Sequence, residues 1–222
     1  MDQLEDKIAG EITMSDDPGR TIRKWRNMFK ASQTELANKM DIAPSVISDY
    51  EKNRRAPGTK LVKNIVGSLI EIDKEKGGQT IKRFTPPGQE GIIELDEFSD
   101  AIDLDTLIKV IDGVSLTDVN KGRTLYGYTI IDSIKAILSM KSFDYLRIYG
   151  WSTERVLFFT GVEHGRSPMV AIRASPLTPA VVAYVQPKKV DSLSIKLAEL
   201  EGLPLIKTDY DVQGISKNLK KI

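Results

Sequence analysis

Residues 32–51, SQTELANKMDIAPSVISDYE, constrain the fold more tightly than any other part of the chain. Ser32 followed three residues later by Glu35 forms a capping box, in which hydroxyl and carboxylate each satisfy a backbone N–H left free at a helix start. A helix therefore begins near Gln33, with Leu36, Ala37 and Met40 on its apolar face. The small Ala37 lets a second helix approach closely. Asp41 falls where the chain must turn sharply, and Asp tolerates the left-handed conformation better than most non-glycine residues. Pro44 sits in the first turn of the next helix, where its missing N–H costs little. That helix is expected to expose Ser45, Ser48 and Asp49 and to turn Ile47 and Tyr50 inward.

Isolated helices shorter than ~12 residues are marginal in water, so this pair needs neighbours. Ile22, Trp25, Met28 and Phe29 recur at helical spacing, as do Leu61, Ile65, Leu69 and Ile72, predicting flanking helices over 21–29 and 59–73. Four short helices so arranged form a helix-turn-helix, whose second helix is held rigidly and is free to enter a major groove. The charge pattern agrees. The whole chain nets +1, yet residues 18–63 carry eleven basic side chains against four acidic ones, a local +7. A basic segment inside a neutral chain is expected when one module meets phosphate.

The run from Gln33 to Glu51, followed by Arg54-Arg55-Ala56-Pro57, resembles the XRE/Cro-type helix-turn-helix of phage repressors and many prokaryotic regulators, over about residues 18–73. Two departures stand out. Asp41 occupies a position where the family usually has Gly, and Lys52-Asn53 stands where Asn-Gly or Arg-Gly is common; Asn53 supplies the same positive φ. The resemblance implies double-stranded DNA as partner and a contact set that opens with Gln33, as a phosphate clamp, and Thr34. Pro44, Ser45, Val46, Ser48 and Asp49 lie where base and backbone contacts are made, and Asn53, Arg54, Arg55 and Lys60 match the loop and helix start near the far phosphates. Arg26 and Glu51 correspond to a buried structural ion pair. Plainer alternatives stand beside these: a mere helical hairpin, a solvated Arg54-Arg55 loop, a Ser45 that reads no base. An acidic Asp49 on the reading face repels phosphate unless it accepts from a cytosine amino group or positions a neighbour, so it is expected to contribute specificity rather than affinity.

Residues 74–90, KEKGGQTIKRFTPPGQE, punctuate the chain with Gly77-Gly78 and Pro86-Pro87-Gly88 and read as a linker with one short extended piece at 80–84. The expected domains are 1–75, a linker over 76–90, and 91–222. In the last, the patterns predict strands at 92–98, 155–161, 169–174, 180–185 and 203–208 and helices at 103–112, 128–140, 188–202 and 211–221. Strand, helix and strand from Ala180 to Thr208 imply a parallel pair with a crossover helix. The fold class is therefore an all-α domain of four to five helices followed by a mixed α/β domain.

Chemistry is sparse in that second half. The chain has no cysteine and a single histidine, His164, which argues against thiolate or imidazole metal sites and against a catalytic dyad. No catalytic residue, metal or cofactor is expected, and neither GxGxxG nor GxxxxGK[ST] occurs. His164 lies in EHGRSP between two predicted strands, where a turn is the plain explanation. Gly165, Arg166 and Ser167 could hold an anion or form an ordinary turn, and Arg123, in the glycine-bracketed GRTLYGY run, could line a pocket or merely enter a helix. The N-terminus lacks a basic start with an apolar run, and no stretch approaches the ~18 apolar residues that cross a bilayer, so a cytoplasmic protein without a membrane partner is expected.

As a whole the chain resembles archaeal regulators with an N-terminal helix-turn-helix and a C-terminal α/β domain, and residues 180–209 look weakly like α/β sensor domains of the DRTGG type. The resemblance implies a sequence-specific DNA-binding transcriptional regulator, expected as a homodimer, whose second domain dimerises, senses an unknown small-molecule effector, or both. The apolar faces expected on helices 128–140 and 188–202 are candidate dimer surfaces, with burial in their own domain as the alternative. Two rival functions are a protein-interaction module, such as an antitoxin or transcription coactivator, and an enzyme with a DNA-binding appendage.

Overall fold

Three consecutive helices near the N-terminus end on a non-glycine residue in the left-handed conformation, and these ends set how the helices meet. The computed structural model describes residues 2–84, 90–119, 122–141 and 143–222, and the chain divides into two units between residues 86 and 87. The first unit contains α1 (Asp2–Thr13), α2 (Pro18–Met28), α3 (Gln33–Lys39), α4 (Pro44–Glu51), α5 (Thr59–Glu75) and α6 (Gln79–Phe84). The capping box opens α3: Glu35 N–H donates to Ser32 Oγ at 3.0 Å and Ser32 N–H to Glu35 Oε2 at 2.7 Å. At its other end Asp41 takes φ 54°, donating to Asn38 C=O at 3.2 Å while Ile42 N–H reaches Ala37 C=O at 3.0 Å. That double closure is a Schellman motif made without glycine. Asn53, at φ 56°, closes α4 in the same way through Tyr50 and Asp49, and Lys30 closes α2.

The core beneath these turns is built on Trp25, Phe29, Leu36, Ala37, Ile47, Ile65 and Leu69. Ile8 and Ile12 of α1 join it, a contribution that the periodicity read over 21–73 did not include. Residues 80–84, expected as an extended piece of a linker, are instead helical and belong to this unit. The Asp73 carboxylate accepts from the Thr80 and Ile81 N–H groups, and Phe84 packs on Trp25 with ring centroids 5.4 Å apart. A cap supplied from another helix leaves no local sequence signal. The Pro86-Pro87-Gly88 part of the expected linker lies outside the described residues.

The second unit runs β1 (Ile92–Asp103), α7 (Leu104–Val110), β2 (Val114–Ser115), β3 (Thr124–Asp132), α8 (Ser133–Ser139), a 3₁₀ turn (Asp144–Tyr149), β4 (Arg155–Thr160), α9 (Arg166–Ala174), β5 (Val181–Val185), α10 (Ser192–Leu200), β6 (Leu205–Thr208) and α11 (Val212–Leu219). Its sheet has the order β1-β3-β4-β5-β6-β2, with β3 to β6 parallel and an antiparallel strand at each edge. Successive residues of the central strands serve opposite faces, as strand geometry requires. Val156 and Phe158 of β4 pack with α7 and α11, whereas Leu157 and Phe159 pack with α8, α9 and α10. The result is a helix–sheet–helix sandwich.

Two predicted elements differ. Residues 128–140 form the end of β3 and then α8, not one helix: Asp132 ends the strand and caps the helix, accepting from the Ile134 and Lys135 N–H groups at 3.1 and 3.0 Å. Of the expected apolar face only Ile131 is buried, while Ile134 and Leu138 are exposed. Residues 169–174 are helix rather than strand. Their β-branched content suggested a strand, yet Met169 and Ile172 are buried and Val170 and Ala171 are not, which is a helical period.

Arg155, the first residue of β4, is 1% exposed and pins the sheet. Its guanidinium donates to Tyr149 C=O at 2.8 Å, to Asp96 C=O at 3.1 Å and to Glu97 Oε1 at 2.5 Å, beside the register shift in β1. Gly127 and Gly150 make the room, since a Cβ at either would strike the guanidinium. Removing one partner of a buried charge pair typically costs several kcal/mol. Arg155→Ala is therefore expected to lower the stability of this unit by about 3 kcal/mol, as measured by urea unfolding; an unchanged midpoint would show that the guanidinium holds nothing.

Candidate nucleic-acid interface

Helix α4 has eight residues and keeps its position through three attachments. The first is apolar, Ile47, which is wholly buried, with Tyr50 packed against the same core. The second is a carboxylate hub. Glu51 is 3% exposed and accepts from Arg26 Nε at 2.5 Å, Arg26 Nη2 at 3.0 Å, Arg23 Nε at 3.3 Å and Gln33 Nε2 at 2.8 Å. Arg26 Nη1 continues to Ala31 C=O at 2.8 Å. One side chain thus joins α2, the start of α3 and the end of α4. The third attachment is Asn53, whose Oδ1 accepts from Gly19 N–H at 2.8 Å and whose Nδ2 donates to Asp17 Oδ1 at 2.6 Å. A Cβ at Gly19 would lie 2.3 Å from Tyr50 C=O, so α2 rests directly on the α4 backbone.

These attachments redistribute roles among the residues singled out in the sequence. Gln33 has committed an N–H to Glu51; an amide nitrogen carries two such donors. Asn53 has its carboxamide engaged on α2. Thr34, Pro44, Ser45, Arg54, Arg55 and Lys60 are exposed, and Val46, Ser48 and Asp49 are half-buried along α4. Asp49 does not stand alone: Arg54 Nη1 lies 3.2 Å and Arg55 Nε 3.8 Å from its carboxylate. The Schellman closure, with Arg54 N–H on Asp49 C=O at 2.9 Å, brings these side chains together. Such exposed pairs are worth ~0–1 kcal/mol, so either arginine can leave for a phosphate at little cost. Three residues with a structural part went unread: Asp17, Gly19 and Arg23. Arg23 was within reach, because it stands one helical turn before Arg26.

The two weak ligand candidates, Arg123 and the Gly165–Ser167 turn, lie at opposite ends of the sheet. Arg123 precedes β3 and donates to Gly202 C=O at 2.6 Å, at the end of the sheet where the parallel strands begin. Gly165 and Arg166 follow β4, at the end where they finish. There Gly165 C=O accepts from Tyr184 Oη at 2.6 Å and Ser194 Oγ at 3.0 Å, and Arg166 pairs with Asp191 at 2.6 Å. Ser167 is exposed in the first turn of α9, and His164 is exposed just before it, between a strand and a helix rather than between two strands. No helix among the described residues is long and apolar enough to cross a membrane.

Comparison with known proteins agrees with the geometry. Residues 22–69 match the helix-turn-helix family HTH_3. An uncharacterized HTH-type transcriptional regulator of Methanocaldococcus jannaschii is 44% identical over 230 residues, covering the whole of this chain and 95% of that protein. Another from Archaeoglobus fulgidus is 42% identical, covering 98% of this chain and 96% of its own length. Among solved structures, the CBS and DRTGG domains of the regulatory region of a Clostridium perfringens pyrophosphatase, complexed with diadenosine tetraphosphate, superpose over 54% of this chain and 46% of that one, with a TM-score of 0.40 and 12% identity.

The hub also sets how the helical unit responds to acid. Burial is the largest single influence on Glu51 and raises its pKa, but hydrogen bonds from Arg26, Gln33 and Arg23 and the charge of Arg26 outweigh it and leave a net lowering. Asp73 is likewise lowered against its burial by the Ile81 and Thr80 bonds. The Lys76 bond, with those to Ser32, holds Glu35 down to about 2. Each group binds a proton more weakly folded than unfolded, so its contribution is complete above the ordinary carboxylate range and is lost as pH falls through the folded value. Thermal melts of the helical unit are expected to fall as pH drops from ~4.5 towards ~2. Glu51→Gln is expected to cost about 2–4 kcal/mol at pH 7 and to flatten that fall; an unaltered acid profile in this variant would remove Glu51 from the account.

Proposed function

The chain belongs to the HTH-type transcriptional regulators, and from that premise we propose that it binds double-stranded DNA sequence-specifically with α4 in the major groove. The reading rests chiefly on one observation: α4 is anchored by Ile47, Tyr50, Glu51 and the following Asn53, while Pro44, Ser45, Val46, Ser48, Asp49 and the basic loop beyond stay accessible. Gln33, Thr34, Arg54, Arg55 and Lys60 would position the module on phosphates, and Pro44, Ser45, Val46, Ser48 and Asp49 would meet bases and the adjoining backbone. Asn53 acts through its grip on α2. Asp49 has a double part here: free of DNA it holds Arg54 and Arg55, and on DNA it releases them and accepts from a base.

We read the protein as a cytoplasmic homodimer without a catalytic role, because one short α4 offers few base contacts and two half-sites about one helical turn apart multiply them. The α/β unit would carry both dimerisation and an effector site. A crevice of about 660 Å³ favours the carboxyl ends of β4, β5 and β6, lined in part by Thr160, Glu163, Gln186, Asp211 and Gln213. The chain leaving β5 packs α10 on one face of the sheet, and that leaving β6 packs α11 on the other, which opens the space where α/β sheets usually bind ligands. This crevice replaces the separated Arg123 and Gly165–Ser167 set. A metabolite-library thermal-shift screen is expected to yield a ligand whose stabilisation is lost in Gln186→Ala and kept in Arg123→Ala; the opposite pattern would move the site.

Salt separates DNA binding from a protein-interaction role. With three phosphate contacts per protomer from Arg54, Arg55 and Lys60, affinity is expected to fall roughly 10³-fold between 50 and 200 mM salt. Arg54→Ala should weaken all sequences alike and flatten the slope. Asp49→Ala, by freeing two arginines, should tighten non-specific binding while discrimination between operator and random DNA drops by about 1–3 kcal/mol. Fluorescence anisotropy across salt reads all three, and a flat salt dependence would sink DNA binding, as uniform weakening by Asp49→Ala would sink its part in specificity.

A further inference from the structure

The two helical layers of the α/β unit differ in what they present outward. On α7 and α11 the exposed positions are Asp105, Lys109, Gln213 and Lys217, and no large hydrophobic side chain of either helix is exposed. On the opposite layer every helix exposes one or more. Ile134, Ile137 and Leu138 stand on α8 at helical spacing, Leu138 being 80% exposed; Val170 on α9 is 55% exposed; Leu193 and Leu200 lie on α10, the latter 65% exposed. The helices are adjacent: Ile137 shares a cleft with Pro168 and Ala171 of α9, and α9 is tied to the α10 segment by Arg166–Asp191 at 2.6 Å and Arg173–Glu201 at 2.8 Å.

We propose that the α8–α9–α10 face is the dimer interface, covered by the same face of a second copy of this chain. The proposal rests on the regulator reading above and adds where its two copies meet. The six side chains expose on the order of 700 Å² together, more than a monomer usually leaves uncovered and close to the ~800 Å² per partner of a standard interface. Charge selects the occupant. Arg166 and Arg173 of α9 pair with Asp191 and Glu201, Lys135 pairs with Asp132 at 3.5 Å, and the two further exposed charges of α10, Lys196 and Glu199, are of opposite sign, so the face offers no net charge to a strongly charged partner. An apolar face without net charge does not repel its own copy, and in a two-fold dimer the same patch must serve both sides. Each edge strand exposes a single large aliphatic side chain, Ile93 on β1 and Val114 on β2, whereas the six on α8, α9 and α10 share one layer.

Sedimentation velocity of the full chain tests this, with the double substitution Ile134→Glu/Leu138→Glu and, separately, Val170→Glu. Both sites are solvent-exposed, so circular-dichroism melts at a concentration where each protein is monomeric should match. Wild type is expected to be dimeric at micromolar concentration and both variants to dissociate at least 100-fold more readily, whereas Val114→Glu, on the edge strand β2, stays dimeric. A monomeric wild type at 100 μM, whether because the face stays bare or because another part of the chain covers it, overturns the proposal, as does a variant as dimeric as wild type. A single half-site duplex keeps this apart from DNA binding. If the monomeric variants bind it as weakly as one module should, both readings hold; if no form of the protein binds DNA while the variants still dissociate, the interface stands and the regulator reading falls.

Discussion

The buried carboxylate of Glu51 is the constraint on which the DNA-facing half of the molecule depends. A charge at 3% exposure is costly to desolvate, and a well-packed apolar residue there could give equal or greater stability. What an apolar residue cannot do is fix direction. Arg26 meets the carboxylate through two nitrogens, and Gln33 and Arg23 approach from other elements, so α2, α3 and α4 are held in one mutual orientation. For a helix of eight residues, orientation is the scarce quantity, because so short a helix has almost no independent stability to resist tilting. Asn53 adds a second fixed point just beyond the same end of α4, where the left-handed turn brings the chain back against Gly19.

The α/β unit solves a comparable problem with the opposite charge. Arg155 gathers two carbonyl groups and the Glu97 carboxylate at the point where β1 loses register, and two glycines clear the space. In both units a single buried ion with several partners joins elements that apolar packing alone would leave free to slide. The difference lies in exposure of the partners. Both hubs are closed from water, but Glu97, the carboxylate on Arg155, is 40% exposed, so Arg155 acts mainly through the carbonyls, whereas Arg26, which meets Glu51 through two nitrogens, is only 11% exposed.

Features set by adjacent residues were legible in the sequence: the capping box at Ser32 and Glu35, the turns at Asp41 and Asn53, Pro44 in the first turn of α4, and the crossover from β5 through α10 to β6. The physical reason is that caps and turns are decided within four or five residues. What failed depended on partners distant along the chain. Residues 80–84 are helical because Asp73 caps them, and residues 169–174 because Met169 and Ile172 meet the sheet on a helical period that six residues cannot display unambiguously. Arg155 read as an ordinary strand residue, since nothing local announces that a strand's first side chain will be enclosed. The accessible side chains along α3, α4 and the loop beyond were readable as a group. The division of labour inside it was not, because Gln33 and Asn53 carry the same amide chemistry whether they face phosphate or another helix.

Residues 128–140 carry the most instructive misreading. Ile131, Ile134 and Leu138 fit a helical stripe and so suggested one face turned to a core, yet the strand ends at Asp132 and the last two point to solvent. Periodicity reports that a face is apolar, not which body covers it, and the proposed dimer would give this stripe the cover that its own sheet does not. Ile134 also lines the crevice at the carboxyl ends of β4 to β6, so one side chain borders both the proposed ligand crevice and the proposed dimer face. Any molecule seated there that prefers the dimer to the monomer must strengthen association by the same factor by which association strengthens its own binding. On these two proposals, a ligand in the crevice and a second copy on the face would meet at Ile134, which gives their coupling a local route within the α/β unit.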